Sequence, residues 1–290
     1  MVILWVVIIS ILSTLTLYAG TLDDIQTRGF LKCGISTGLT GFAEQDETGQ
    51  WKGFDVDFCR STAAAIFDDP SRVEFVPLST KNRFTALHTG DIDLLYRNTT
   101  WTASRDLGLD LTFPAINFYD GQGFLAPKSA NISNIKQLDG SRICVISDTT
   151  HADQLNDYLT YQGITYTPVV LDTTNQVRKA YEAGNCNIIT SDRSQLAAQR
   201  SQLQQPNDHT VLDTVISTEP LGPVIKAGDE RFSKLVRYVL FGLIEAERLG
   251  INADNVDKQA SNQNPNIRRL LGLSPMPYNH IGLPQNFIAR

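Results

Sequence analysis

Short runs of apolar and β-branched residues alternate with amphipathic stretches along most of the chain. A short apolar run bounded by polar residues is typical of a buried strand, whereas apolar positions repeating every three or four residues are typical of a helix. The runs predict strands at Phe30–Ile35, Val73–Pro77, Ile92–Leu95, Ile143–Ser147, Ile164–Val170 and Cys186–Thr190. The amphipathic stretches predict helices at Asp55–Phe67, Asn82–Thr89, Thr149–Tyr161, Asn175–Ala183 and Ser194–Gln202.

These elements follow the order β-α-β-α-β twice, once before residue 100 and once from residue 143 to 190. Strands that alternate with helices pair in parallel, so the pattern predicts an α/β fold of two facing lobes. Each lobe is expected to be a mixed, mostly parallel sheet flanked by helices. We place the first lobe at residues 21–122 plus 222–290 and the second at residues 123–221.

Two extended segments, residues 118–126 and 215–224, are expected to connect the lobes and to act as a hinge, where a few residues absorb the rotation. The alternative is that both are ordinary loops within a single sheet. Further along, apolar residues recur at three- and four-residue steps over Asp229–Leu249, and Gly250 then favours a helix end. This pattern predicts a long helix whose apolar stripe packs on a core: Phe232, Leu235, Val236, Val239, Leu240, Leu243 and Ile244.

The first 20 residues carry no charged side chain, and the apolar stretch Val2–Leu12 precedes Ala19 and Gly20. An apolar run that ends in small residues predicts a secretory signal peptide at residues 1–20, cleaved near Ala19, and hence export. The alternative is an uncleaved membrane anchor, because no Lys or Arg precedes the apolar run.

Charge and cysteine content narrow the possible functions. The net charge is −6, and no cluster of Lys or Arg could follow a phosphate backbone, so we expect no nucleic-acid partner. The cysteines (Cys33, Cys59, Cys144 and Cys186) form no CxxC pair, which in an exported chain favours disulfides over a metal site. Of the three connectivities we favour Cys33–Cys59 with Cys144–Cys186, since each closes a loop within one half; the alternative is four buried free thiols.

Polar side chains cluster after three predicted strands, in segments 97–105, 147–151 and 190–192. Ligands of open α/β sheets bind at the carboxyl ends of the strands, so we expect these segments to line one cleft. Arg105 could hold a carboxylate and Asp192 an ammonium, the two charged groups of a zwitterion. Each segment alone could instead be structural, as a surface ion pair or a helix cap.

An enzymatic function finds less support in the sequence. The histidines (His88, His151, His209 and His280) show no metal-ligand spacing, and there is neither a GxSxG motif nor a Gly-rich phosphate loop. The best catalytic alternative pairs His151 with Asp192 as acid and base. We therefore predict a protein that is not an enzyme and needs no cofactor or metal.

Several stretches, in order, resemble the periplasmic polar amino-acid-binding proteins of ABC importers, solute-binding protein family 3, and most closely their general L-amino-acid-binding subgroup. The resemblance runs from about Thr21 to Leu271. It is carried by TLDDI at 21–25, GFDVDFCR at 53–60, RNTTWT at 97–102, FYDGQGF at 118–124 and EPLGP at 219–223. It implies a two-lobed Venus-flytrap fold that captures a free L-amino acid in the periplasm. The expected partners are that ligand and the ABC transporter permease subunits in the inner membrane, with the protein itself a monomer.

The resemblance also implies ligand contacts. By position, Arg105 corresponds to the arginine that clamps the ligand carboxylate, and Asp192 to the aspartate that holds its α-ammonium. Further polar contacts are implied for Asn98, Thr100, Thr149 and Thr150. The subgroup agrees with the cysteine pairing favoured above.

Three features depart from the subgroup. Where family members often have an Asp or an aromatic in the first β–α loop, this chain has STGLTGF at 36–42, with Phe42 as the candidate for the specificity side of the pocket. Asp148 stands where a Gly is usual. The subgroup continues some tens of residues past 282–284, so the resemblance implies a truncation that weakens closure. Two alternative functions are an enzyme on the same scaffold, of the small-acid dehydratase type, and a receptor-associated amino-acid sensor.

Overall fold

The computed structural model describes residues 20–275, 281 and 283–290; the predicted signal peptide lies outside them, apart from Gly20. The strands are β1 (Leu31–Ser36), β2 (Glu44–Gln45), β3 (Trp51–Lys52), β4 (Val73–Leu78), β5 (Leu94–Thr100), β6 (Leu111–Thr112), β7 (Phe118–Asp120), β8 (Gln122–Pro127), β9 (Ser141–Ile146), β10 (Tyr166–Leu171), β11 (Ile188–Asp192), β12 (His209–Val211) and β13 (Glu219–Lys226). The helices are α1 (Thr21–Arg28), α2 (Phe54–Phe67), α3 (Arg83–Thr89), α4 (Ala103–Gly108), α5 (Thr150–Tyr161), α6 (Thr174–Glu182), α7 (Arg193–Ser201), α8 (Glu230–Leu249) and α9 (Pro265–Leu270). Short 3-10 helices lie at Lys128–Ala130, Ile135–Leu138, Pro206–Asp208 and Val256–Gln259.

Two mixed sheets form the centres of two lobes. In the first, the strand order is β4-β1-β5-β13-β6, with β7 also paired to β13; β1 runs parallel to β4 and β5, and β13 runs antiparallel to its partners. In the second, the order is β10-β9-β11-β8-β12, with β9 parallel to β10 and β11, and β8 antiparallel to its partners. The predicted fold class, two α/β lobes with helix-flanked sheets, is confirmed.

Helix α8 covers the first sheet with the apolar stripe that the sequence predicts. Phe232, Leu235, Val236, Val239 and Leu240 are buried in a core shared with β1 and α2. The prediction is wrong at Ile244, which is 51% exposed because the last turns of α8 extend beyond this core. None of the helices in the described residues is both long and apolar enough to cross a membrane.

One disulfide lies within each lobe. Cys33 of β1 is bonded to Cys59 of α2, and Cys144 of β9 is bonded to Cys186, just ahead of β11. The predicted connectivity is confirmed. Each bond ties a helix or a loop to a central parallel strand of its own sheet.

The chain crosses between the lobes twice. It leaves the first sheet at Gly121, between β7 and β8, and returns after Ser217 to enter β13. The two crossings touch, because a Cβ atom on Gly121 would lie 2.8 Å from the carbonyl oxygen of Ser217, which requires glycine there. The sheet pairing differs slightly from the predicted lobe boundaries. Gln122, predicted in the first lobe, pairs in the second sheet, and residues 219–221, predicted in the second lobe, pair with β5 and β7 of the first sheet.

Candidate ligand site between the lobes

The sheets meet across a small cavity to which both lobes contribute. The first lobe supplies Ser36, Thr80, Arg83, Arg97 and Asn98, and the second supplies Ile146, Thr149, His151, Asp192 and Gln195. Most of these residues lie at or just beyond the carboxyl ends of β1, β4, β5, β9 and β11, or in the first turn of the helix that follows. Parallel strands therefore bring the three predicted polar segments to one cleft, as expected for an open α/β sheet.

The start of the polar segment 97–105, which we expected to follow a strand ending at Leu95, is itself part of that strand. Strand β5 continues to Thr100 because β13 pairs with it at Leu95, Thr99 and Thr100. Asn98 interrupts the regular strand geometry with φ of +40°, and its buried Nδ2 has no hydrogen-bond partner among the residues that the structure describes. Thr100 contributes through its backbone, since its carbonyl oxygen accepts a hydrogen bond of 2.8 Å from Nη1 of Arg105.

Arg105 lies on the short helix α4 and is only 8% exposed. Its guanidinium stands over the ring of Phe84, 5.5 Å from the centroid, and in the described residues no carboxylate oxygen lies within 4 Å of it. Burial lowers the pKa of Arg105, and the carboxylates of Glu219, Asp192 and Asp153 oppose that shift. Part of this buried cation is therefore available to a ligand carboxylate.

Sequence reasoning missed Arg83, in the first turn of α3. It is 3% exposed, its Nη2 donates to the carbonyl oxygen of Asp148 across the cleft at 3.2 Å, and its Nε has no partner in the described residues. Burying a cation without a carboxylate is costly, so an unpaired arginine beside a cavity indicates an anionic ligand group. An arginine in the apolar pattern of residues 83–87 was the only signal for it.

The second lobe presents a paired set of groups. Asp192 ends β11, is 2% exposed, and its Oδ1 lies 3.0 Å from Nε2 of His151. Glu219 faces this pair from β13 of the first sheet, and the sequence analysis did not single it out as a site residue. It is fully buried and accepts hydrogen bonds from Ser217 and, at 3.3 Å, from Thr150 of the second lobe. The predicted acid–base alternative correctly placed His151 beside Asp192.

His151, Asp192 and Glu219 each offer a ligand atom, and these atoms lie within 4.8 Å of one another. Such residue types could hold a metal ion. However, Arg105 acts electrostatically on both His151 and Asp192, and hydrogen bonds already engage Asp192 and Glu219. The arrangement is better described as a buried acceptor network that suits a cationic ligand group.

Of the predicted contacts Thr149 and Phe42, only Thr149 lines the cavity. Thr149 lines it and precedes α5, with its Oγ1 donating to the carbonyl oxygen of Ile146 at 2.7 Å. Phe42 does not line it; its ring packs edge-to-face on Phe54 and Phe118, 6.0 and 5.9 Å between centroids. Phe42 joins this aromatic cluster because its own loop folds back on the start of α2, where Asp55 N–H donates to the Phe42 carbonyl.

Comparison with known proteins finds a family that matches most of the chain. Residues 31–262 match the bacterial extracellular solute-binding proteins, family 3. The general L-amino acid-binding periplasmic protein AapJ of Rhizobium johnstonii is 45% identical over 254 residues, 88% of this chain and 74% of that protein. The glutamate/glutamine/aspartate/asparagine-binding protein BztA of Rhodobacter capsulatus is 46% identical over 273 residues, 94% and 81% of the two chains.

A solved structure agrees with the sequence relatives. A periplasmic binding protein of an ABC transporter from Brucella ovis, with glutathione bound, superposes with a TM-score of 0.90 at 42% identity. The match covers 94% of this chain and 86% of the other. The likeness therefore extends over both lobes and the cleft between them.

Proposed function

The chain belongs to the bacterial extracellular solute-binding proteins of family 3, and we propose that it captures a free L-amino acid between its lobes and delivers it to an ABC transporter. One observation supports the proposal: a buried arginine of the first lobe and a buried aspartate of the second interact electrostatically and line two adjoining cavities, which share Thr80 and Thr149. Arg105 and Asp192 offer the opposite charges that the carboxylate and ammonium of a zwitterion require.

The proposed contacts divide between the lobes. Arg105 binds the ligand carboxylate, with Asn98 and the backbone of Thr100 beside it, and Asp192 binds the ammonium together with Glu219. Thr149 and Thr150 add hydroxyl and N–H donors at the start of α5. Charge-assisted hydrogen bonds contribute about 1.5–3 kcal/mol each, so three or four suffice for micromolar affinity, which needs about 8 kcal/mol.

Capture is proposed to proceed by closure of the lobes about the two crossings at Gly121 and residues 217–218. Side chains already bridge the cleft: Arg83 donates to the Asp148 carbonyl, Thr150 donates to Glu219, and Gln202 donates to Thr40. A ligand that contacts both lobes binds the closed form more tightly and so shifts the population towards it. The permease subunits would recognise that form, in the periplasm, with the binding protein as a monomer.

Titration calorimetry of the folded protein tests the proposal, with the twenty L-amino acids and glutathione as ligands. We expect saturable binding of at least one amino acid at micromolar Kd or tighter. Mass spectrometry of the ligand recovered after denaturation should find it unchanged, whereas an enzyme on this scaffold would return a product. If a folded sample binds no member of the panel, the proposed function is wrong.

A further inference from the structure

The carboxylate that we propose for the ligand ammonium, Asp192, already contacts another side chain. His151 is 6% exposed, lines the cavity between the lobes, and holds Oδ1 of Asp192 through its Nε2 at 3.0 Å. Its backbone carbonyl accepts a hydrogen bond of 3.0 Å from Gln122 of β8, which fixes the first turn of α5 in this position. One oxygen of the ammonium-binding carboxylate is therefore engaged before any ligand arrives.

Charged groups face His151 from several elements. Asp192 comes from β11, Glu219 from β13 and Arg105 from α4. Arg83 and Arg97 line the same cavity from α3 and β5, and Asp120 of β7 acts on Asp192. Burial by itself lowers the pKa of His151, but the Asp192 and Glu219 carboxylates outweigh it and raise that pKa above its ordinary value. The charged imidazolium is thus favoured in the ligand-free cleft.

A ligand ammonium bound to Asp192 lies directly against the imidazolium of His151. It carries three N–H donors and requires oxygen or nitrogen acceptors, whereas a protonated imidazole has donors only. Two positive groups beside Asp192 repel each other strongly in a buried site. A neutral imidazole removes this conflict, since its Nε2 then offers a lone pair that accepts a hydrogen bond from the ammonium.

We propose that His151 carries a proton in the ligand-free cleft and releases it from Nε2 when a ligand ammonium binds beside Asp192. The proton passes to water and buffer, and the neutral imidazole becomes a direct acceptor for the ammonium. His151 is then a ligand-binding residue, and capture of an amino acid is coupled to proton release. This inference depends on the proposed function, because it requires an ammonium at Asp192.

The coupling fixes the direction of the pH dependence. A ligand that binds the unprotonated site must displace the proton at low pH, so affinity rises with pH through the pKa of His151 in the free protein. The limiting slope is about tenfold per pH unit for one proton, and the affinity levels off at higher pH. The ligand ammonium stays charged throughout, since its pKa is higher than that range.

The test is calorimetry of the whole protein at pH 6.5, carried out once in phosphate and once in a buffer with a large heat of ionisation. The probe is the neutral amino acid of the panel that binds most tightly, and L-glutamine is tried first. The difference in observed heat between the buffers gives the number of protons exchanged. We expect release of a substantial fraction of one proton by wild type, and close to none by His151→Gln. The matched control is His209→Gln, because His209 bonds Tyr181 in the second lobe, away from the cleft, and its removal should leave proton release unchanged.

Two results would overturn the inference: binding by wild type without proton release, or undiminished release by His151→Gln. If the variant does not fold, NMR titration of the His151 imidazole in wild type decides instead, since ligand must lower its pKa. If no member of the panel binds at all, the proposed function fails rather than the coupling.

Discussion

The first lobe presents to the cleft cations and buried nitrogens that lack a partner in the described residues, whereas the second lobe presents an acid–base pair that a hydrogen bond already joins. Arg83 and Asn98 each keep a buried nitrogen without a partner in the described residues. Asp192 and His151, in contrast, satisfy each other at 3.0 Å. The first lobe is therefore prepared for a ligand at the expense of its own stability, and the second must exchange an internal contact for a ligand contact.

The largest effect should come from removing the two opposite charges of the cleft. Arg105→Ala and Asp192→Ala should each weaken amino-acid binding at least about 100-fold, because losing one partner of a buried charge pair costs about 3–5 kcal/mol. Calorimetry measures this loss. The two variants should differ in ligand-free stability. The free energy of urea unfolding should fall clearly in Asp192→Ala, which leaves His151 without its hydrogen-bond partner, and should change little in Arg105→Ala.

Exposed residues of the same types provide controls for that pair. Arg72→Ala and Asp213→Ala should bind the ligand as wild type does, since neither side chain approaches the cleft. Equal loss of ligand-free stability in Arg105→Ala and Asp192→Ala would contradict the contrast between an unpaired and a paired lobe.

The disulfides compare the lobes as folded units. In the chain-entropy model, a cross-link stabilises by about 3.5 kcal/mol for the 26-residue separation of Cys33–Cys59 and about 4 kcal/mol for the 42-residue separation of Cys144–Cys186. Paired Cys→Ser replacements should lower the free energy of urea unfolding by amounts of this order. Losses below about 1 kcal/mol in both variants would show that neither bond constrains the unfolded chain in this way.

A smaller loss of ligand affinity is expected from Arg83→Met, which tests the role of the first lobe's cations. L-glutamate should bind about 10- to 100-fold more weakly, the value of a charge-assisted hydrogen bond, while binding of L-glutamine should weaken less. Ligand-free stability should stay equal or rise, since the variant removes a buried cation that has no carboxylate partner. Arg72, which is exposed and lines neither cavity between the lobes, gives the matched control, Arg72→Met, which should change neither quantity. Equal weakening for both ligands would contradict an anionic subsite at Arg83.

The local pattern of apolar and polar residues was sufficient to predict much of the fold and part of the candidate site. Helix α8 and the parallel strands follow from the repeat of apolar positions, and the ends of those strands led to Asp192. Pairing with a distant strand was not visible in the sequence, so the predicted strand stopped at Leu95 although pairing with β13 extends β5 to Thr100. Arg83 and Glu219 were missed for the same reason, because their positions in the cleft depend on contacts with the other lobe or with Ser217.

The double crossing at Gly121 and residues 217–218 makes the second lobe an insertion within the first, which affects the order of assembly as the exported chain emerges from the membrane, amino end first. All strands of the second sheet lie between residues 122 and 211, whereas β13, in the interior of the first sheet, is made only at residues 219–226. Domains generally fold as units, so the inserted lobe can complete its sheet while the surrounding lobe still lacks an interior strand. When β13 finally enters, it completes the first sheet and brings Glu219 into the cleft in the same event.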